Sequence, residues 1–283
     1  MSSEPIAARF AALGERRRRA LVVYVTAGHP DPERSMDLLN GLAEHGADVI
    51  EIGVPFSDPM ADGPVIQASS QKALAAGMTL GRTLELVARA RPIVPVVLFT
   101  YLNPVLSAGR EVLRDAADAG LQGILITDLP LGADSDTESW LGAGPLAFIR
   151  LVAPTTPRER MAEIARYGSG FVYLISRLGV TGAVGNISHE LPATVATLRS
   201  VTDLPICVGF GISTPEQACT IGRYADGVIV GSAVVAAADQ DPVKALRLVR
   251  SLRAGLDEAE VISEQRSGNT ASETNLLRFG PRD

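Results

Sequence analysis

Short runs of Val, Ile and Leu recur along the chain between stretches whose apolar residues fall at helical spacing. That alternation is the mark of a parallel sheet whose strands are joined by crossover helices. Eight such runs stand at 21–26, 49–53, 94–99, 123–127, 146–151, 171–176, 206–209 and 227–230. Nearly continuous apolar strands are those covered on both faces, and eight of them suit a closed (β/α)8 TIM barrel better than a doubly wound open sheet of about six. The pattern predicts a single α/β domain over residues 1–256, with an extra N-terminal helix at 6–15 covering the bottom of the barrel.

Helix starts support the same division. Asp31-Pro32, Thr156-Pro157, Thr214-Pro215 and Asp241-Pro242 each place a capping oxygen before a proline suited to the first helical turn. Ser213 with Glu216 offers an alternative capping box one residue earlier. Between the second strand and helices predicted at 66–76 and 80–90 lies a long loop, 54–64, of the kind that carries function in compact domains. Beyond Asp257 the chain turns polar, and 257–283 is expected to be a disordered tail with an apolar cluster at Leu276, Leu277 and Phe279.

Composition narrows the classes. The 283 residues are 46% hydrophobic and 20% charged, a globular balance, and the net charge of −6 argues against a general polyanion binder. Cys207 and Cys219 both lie in apolar or helical contexts, so no disulfide framework is expected. No stretch approaches the ~20 apolar residues of a membrane span. A cytoplasmic protein is the expectation. His29, His45 and His189 lack ligand spacing, and no metal site is expected.

In a (β/α)8 barrel the active site forms at the C-terminal strand ends and the loops that follow them. Glu51 lies inside the second strand and, by the period of two, shares a face with Val49 and Gly53. A carboxylate there is costly unless paired or functional; it is either a hydrogen-bonded plug or an acid/base group. Asp62 ends the loop that leaves the same strand and can fold back over the barrel mouth. Asp58, on that loop, reads most simply as turn chemistry. Tyr173 in the sixth strand is either a core residue or a site residue. The loop 177–186 carries three glycines and could serve as a lid. Gly209-Phe210-Gly211 after the seventh strand and Gly231-Ser232 after the eighth stand where this fold frequently binds phosphate through backbone N–H groups. Asn103 and Asp128 also lie at functional strand ends, where either could simply satisfy loop backbone.

The stretch 51–67, Glu-Ile-Gly-Val-Pro-Phe-Ser-Asp-Pro-Met-Ala-Asp-Gly-Pro-Val-Ile-Gln, resembles the signature of the tryptophan synthase α subunit family. It is followed in order by Tyr-Leu-Ile-Ser-Arg-Leu-Gly-Val-Thr-Gly at 173–182, Gly-Phe-Gly-Ile-Ser at 209–213 and Gly-Ser-Ala-Val-Val at 231–235, so the resemblance covers about 5–255. It implies retro-aldol cleavage of indole-3-glycerol phosphate to indole and glyceraldehyde 3-phosphate. In that reading Glu51 is the principal acid/base, Asp62 binds the indole N–H, and Tyr173 positions substrate. Gly182, Gly211 and Ser232 take the phosphate with backbone N–H groups near Gly209 and Gly231, while Thr181 is the lid residue that meets Asp62. The resemblance also implies an α2β2 assembly. A separate β subunit would carry pyridoxal phosphate, this chain would carry no cofactor, and the loop segment 55–59 with Asp58 would face the partner.

Two departures from the family pattern stand out. The segment 131–145 is shortened and glycine-interrupted where a glutamate-bearing helix and loop are usual, which puts the fourth helix and partner docking in question. The lid lacks the charged residue common after Thr-Gly-Ala. Three other readings are a stand-alone indole-glycerol phosphate lyase, a non-catalytic phosphate-binding barrel, and a phosphate-binding isomerase barrel of histidine or tryptophan biosynthesis. Intact Glu51, Asp62 and Tyr173 argue against the second, and the Pro-Phe-Ser-Asp-Pro loop does not suit the third.

Overall fold

The computed structural model describes residues 4–176, 190–209 and 211–276, with side chains in the final helix as far as Ala259. Eight parallel strands close on themselves in chain order. They are β1 (Ala20–Thr26), β2 (Val49–Gly53), β3 (Val96–Thr100), β4 (Gly123–Ile126), β5 (Ala147–Val152), β6 (Val172–Ile175), β7 (Ile206–Gly209) and β8 (Gly227–Val230). Closure is made by β1 against β8, from Ala20 beside Gly227 to Val23 beside Val230. The expected TIM barrel is therefore formed, and all eight expected strands are present. Their limits move by a residue or two, because the neighbouring ladder decides them. Pro95, for example, has no N–H to contribute, yet its carbonyl accepts from Ile50 at 2.9 Å just ahead of β3.

Alternation sorts the strand residues into two layers. Val22, Val49, Val97, Leu125, Ile149, Tyr173, Cys207 and Ile229 fill the interior. Leu21, Val23, Ile50, Ile52, Leu98, Ile124 and their like face the outer helices. The bottom is plugged by α1 (Glu4–Glu15), the helix expected there. Its Ile6, Phe10 and Leu13 join the interior cluster, with the Phe10 and Phe171 rings 5.7 Å apart. A Cβ on Gly123 would come within 2.9 Å of Ile6, so the strand is kept bare where the plug enters.

The helix starts follow the capping logic with two adjustments. Asp31 caps α2 (Pro32–Leu42) by accepting from Arg34 N at 2.9 Å. Thr214 caps α10 (Pro215–Gly222) in a capping box with Gln217, rather than Ser213 with Glu216, because the Gln217 amide oxygen reaches back to the Thr214 N–H. At α8 (Arg158–Arg166) the cap is Pro157; the Thr156 hydroxyl is instead taken by Ala153 N at 3.1 Å. Asp241 accepts from Val243 N at 2.9 Å at the start of the final helix, α12 (Pro242–Leu276).

The tail boundary differs from the expectation. Asp257 is not the first residue of a free segment, since α12 runs through it, Leu256 and Ala259 are buried, and both pack near Gly222 of α10. Leu252, Leu256 and Ala259 continue a helical stripe that the polar residues between them disguise. Asp257 belongs to an ionic latch instead. Asp48, only 1% exposed, takes hydrogen bonds from Leu21 N at 2.9 Å, Arg9 at 2.6 Å and Arg253 at 3.0 Å. Arg253 also pairs with Asp257, which accepts from Arg18 at 3.0 Å. The first helix, first strand and last helix are thereby tied below the barrel. Among the described residues no helix is long and apolar enough to cross a membrane.

Removing the acceptor of this latch leaves two guanidinium groups without it. Asp48→Ala is expected to cost about 3–5 kcal/mol of unfolding free energy in a urea titration. A loss under about 1 kcal/mol would show that the latch does not hold the termini together.

Candidate active site

At the C-terminal ends of the strands lies a cavity of about 410 Å3, lined by Glu51, Asp62, Tyr173, Gly211, Gly231 and Ser232 together with Tyr24, Phe99, Thr127 and Leu151. Glu51 points inward from β2, beside Tyr24 of β1 and Val97 of β3 in the ladder. Its carboxyl is 1% exposed, and neither oxygen has a hydrogen-bond partner among the described residues. Burial alone pushes its pKa up to about 8. The structural-plug reading requires partners, and among the described residues this side chain has none. A carboxyl in this state holds its proton at neutral pH and can give it up with little penalty.

Asp62 reaches the same cavity from the loop between β2 and α3 (Pro64–Ala75). Three contacts shape that loop. The Phe56 ring stacks on Tyr101 with centroids 5.0 Å apart, Ala61 N donates to the Tyr101 hydroxyl at 3.0 Å, and Gln67 Nε2 donates to the Asp62 carbonyl at 2.9 Å. Partial burial raises the Asp62 carboxyl above its usual range, and a hydrogen bond with Tyr101 pulls it back. The two carboxyl groups thus occupy different surroundings, one dry and unpartnered, the other nearer solvent and hydrogen-bonded.

Tyr173 and Tyr24 flank Glu51, and burial raises both phenols well above their ordinary values. The Tyr24 ring meets Phe99 edge to face at 5.1 Å. Each tyrosine depends on a glycine. A Cβ on Gly53 would lie 2.0 Å from the Tyr24 hydroxyl, and one on Gly209 would lie 2.4 Å from that of Tyr173. Gly209 is therefore placed under Tyr173 and is not among the residues lining the cavity, while Gly211, Gly231 and Ser232 are. Gly211 has φ +78, a left-handed conformation that glycine adopts without strain. Gly231 is the N-cap of α11 (Ser232–Gln240), whose first-turn N–H groups open at the cavity.

Other expected residues separate into groups. Asp58 is exposed, with its carboxylate accepting from Ser57 at 2.6 Å. Asp128 accepts from Leu102 N at 2.7 Å, and Asn103 is exposed on α5 (Leu102–Ala108), so neither enters the cavity. His29 is buried beside Asp239, and His45 bonds the Gly41 carbonyl. Thr181, Gly182, Phe210, His189 and the whole stretch 177–186 lie outside the described residues. Among the described residues no group of His, Cys, Asp or Glu is placed to hold a metal ion. Sequence reasoning missed Tyr24 and Tyr101. Tyr24 was accessible, since it shares the inward parity of Val22 and sits opposite Glu51 in the ladder; the role of Tyr101 depends on how the loop folds back.

A closed parallel barrel with a buried carboxyl and a glycine-capped helix start around one cavity at its C-terminal strand ends is the architecture of a (β/α)8-barrel protein with a pocket at the usual functional face. A sequence profile of the tryptophan synthase alpha chain matches residues 10–262. The chain belongs to the tryptophan synthase alpha chain family, whose reaction is that of a lyase. It is 49% identical over 227 residues to the tryptophan synthase alpha chain of Desulfatibacillum aliphaticivorans, spanning 79% of this chain and 86% of that one. With the alpha chain of Laribacter hongkongensis (strain HLHK9) it shares 46% over 257 residues, 88% of this chain and 97% of the relative. Tryptophan synthase subunit alpha from Legionella pneumophila str. Paris superposes with a TM-score of 0.81 at 35% identity, covering 90% of this chain and 98% of that one. A structure of tryptophan synthase from M. tuberculosis gives a TM-score of 0.81 at 35% identity over 89% and 98%.

Glu51 also sets a pH dependence of stability. In the fold its carboxyl stays protonated up to about pH 8, whereas in the unfolded chain it ionises above about pH 4.3. The folded state binds the extra proton between those values, so stability falls as pH rises through that window. Glu51→Gln removes this loss. Its advantage over the wild type in urea unfolding should grow by about 1–4 kcal/mol from pH 5 to pH 8; a gap independent of pH would contradict the buried-acid assignment.

Proposed function

We propose that the cavity at the barrel mouth binds indole-3-glycerol phosphate and that Glu51 moves both protons of its cleavage. The observation that carries this reading is the dry, unpartnered Glu51 carboxyl. Protonated at neutral pH, it gives its proton to indole C3. The carboxylate so formed takes the proton from the hydroxyl on the adjoining glycerol carbon, and the carbon–carbon bond to indole C3 breaks as the carbonyl of glyceraldehyde 3-phosphate forms. The electron pair of the broken bond restores the indole ring, and Glu51 ends protonated as it began. General acid–base help of this kind contributes about 10²–10⁴ in rate.

Asp62 accepts the indole N–H and offsets the positive charge that the ring nitrogen carries after C3 is protonated. Burial raises its pKa above the usual carboxylate range, and the hydrogen bond with Tyr101 acts in the opposite direction, favouring the ionised form. Tyr173, with Tyr24 and Leu151, walls the ring site. The phosphate lies against Gly211, Gly231 and Ser232, where the start of α11 supplies N–H donors.

The partner we infer is a tryptophan synthase beta subunit carrying the pyridoxal phosphate. Asp58 is exposed, and Met60, on the same loop, is 84% exposed beside the mouth, an apolar side chain positioned for contact with another protein. The only lysines of this chain, Lys72 and Lys244, are on outer helices away from the cavity, so it offers no amine for a Schiff base there. A stand-alone lyase would use the same residues; strong activation of indole formation by a beta subunit selects the synthase, and fast indole release without one selects the stand-alone enzyme.

Glu51→Gln is expected to lower kcat by at least about 100-fold while leaving the binding of a phosphate ligand nearly unchanged. Wild-type kcat should fall as pH rises above about 8, where the carboxyl loses its proton. Substantial turnover in the purified variant would rule out the acid/base role. Gly211→Leu, which adds a side chain at φ +78, should raise KM about tenfold or more; an unchanged KM would count against phosphate binding there.

A further inference from the structure

A second cavity opens on the flank of the barrel beside the segment between β4 and β5. There α7 (Ser135–Ala143) has only nine residues, and between it and α8 opens a cavity of about 830 Å3. It lies on the outer side of β5, reached by Phe148 and Arg150, whereas Ile149 faces the barrel interior and Leu151 the catalytic cavity. None of its lining residues is shared with that cavity.

The floor of the flank cavity is charged and ordered. Arg150 is 5% exposed, with its guanidinium 3.9 Å from the Phe148 ring centroid. It donates through Nη2 to Glu138 Oε2 at 2.7 Å and through Nε to the Tyr167 carbonyl at 3.3 Å. Glu138 is fully engaged, because its other oxygen accepts from Gly132 N at 2.7 Å and Asp134 N at 3.4 Å. Arg150 Nη1 is buried and has no hydrogen-bond partner among the described residues. Arg160 and Arg166 stand at the wall, the former bonded to Glu163 at 2.9 Å and to the Leu131 carbonyl, the latter near the Tyr167 ring. Three guanidinium groups against the two carboxylates, Glu138 and Glu163, leave one positive charge in excess.

A buried cationic N–H without an acceptor is costly, and an oxyanion is the ligand that removes that cost and the charge excess together. We propose that the flank cavity between α7 and α8 is a second binding site, for a small molecule bearing a carboxylate or phosphate group that accepts from Arg150 Nη1 and is held by Arg160 and Arg166. The volume admits a ligand of metabolite size. The site acts independently of the chemistry at the mouth.

The test is calorimetric titration of the full-length protein with inorganic phosphate and, separately, with succinate, with fluorescence of Trp140 on α7 as a local reporter. Saturable binding of at least one probe is expected, and which one binds identifies the anion class. The double variant Arg160→Ala/Arg166→Ala should weaken it about tenfold or more. Glu138→Leu/Arg150→Met, which replaces the ion pair by apolar side chains and so avoids a stranded charge, should abolish it. Indole formation should be unchanged in both. Absence of saturation with either probe, or equal affinity in the two variants, would overturn the proposal.

Discussion

Everything at the site depends on the closure of β1 onto β8. Once the ladder from Ala20 to Val23 is joined to Gly227 through Val230, the sheet has no edge and its inner face becomes an enclosed column of side chains. Parity then decides where each strand residue goes. Val49, Glu51 and Gly53 must turn inward because Ile50 and Ile52 turn toward the helices. The carboxyl of Glu51 is dry because it lies near the top of a filled column, and burial in that position is what raises its pKa.

The chain treats buried charge in opposite ways at the two ends of the barrel. Asp48 below is surrounded by donors from three separate elements and serves cohesion. Glu51 above has none among the described residues, so its desolvation is left uncompensated and pushes its pKa up. Natural folds store such unfavourable terms where chemistry needs them. The Arg150–Glu138 pair on the flank stands between these extremes, matched on one side and open on the other.

Much of this was legible in the sequence. Strand count, the inward face of Glu51 and the plug at the N-terminus follow from periodicity, which local residues encode. The family motif at 51–67 supplied the substrate, which no arrangement of apolar residues could. Less visible were features made by distant residues meeting. The dependence of Tyr24 on Gly53 and of Tyr173 on Gly209 joins adjacent strands, and a Gly-x-Gly that reads as a phosphate loop contains one glycine needed for steric clearance. Asp257 looked like the start of a polar tail because its partner Arg18 lies far away in sequence, just after the first helix, and because the Arg253 pairing becomes visible only once the last helix is seen to run through both residues. Tyr101 was hidden for a similar reason, since its meaning comes from the backbone of Ala61, forty residues earlier.

The helical plug beneath the barrel has a consequence for traffic. With Ile6, Phe10 and Leu13 packed among the lower strand residues, the reaction chamber has a floor. On the reading proposed above, an apolar product formed beside Glu51 meets that packed floor below it and leaves toward the C-terminal strand ends, the side from which its parent entered. On the same reading, a partner surface seated over the mouth would be the next environment that product meets.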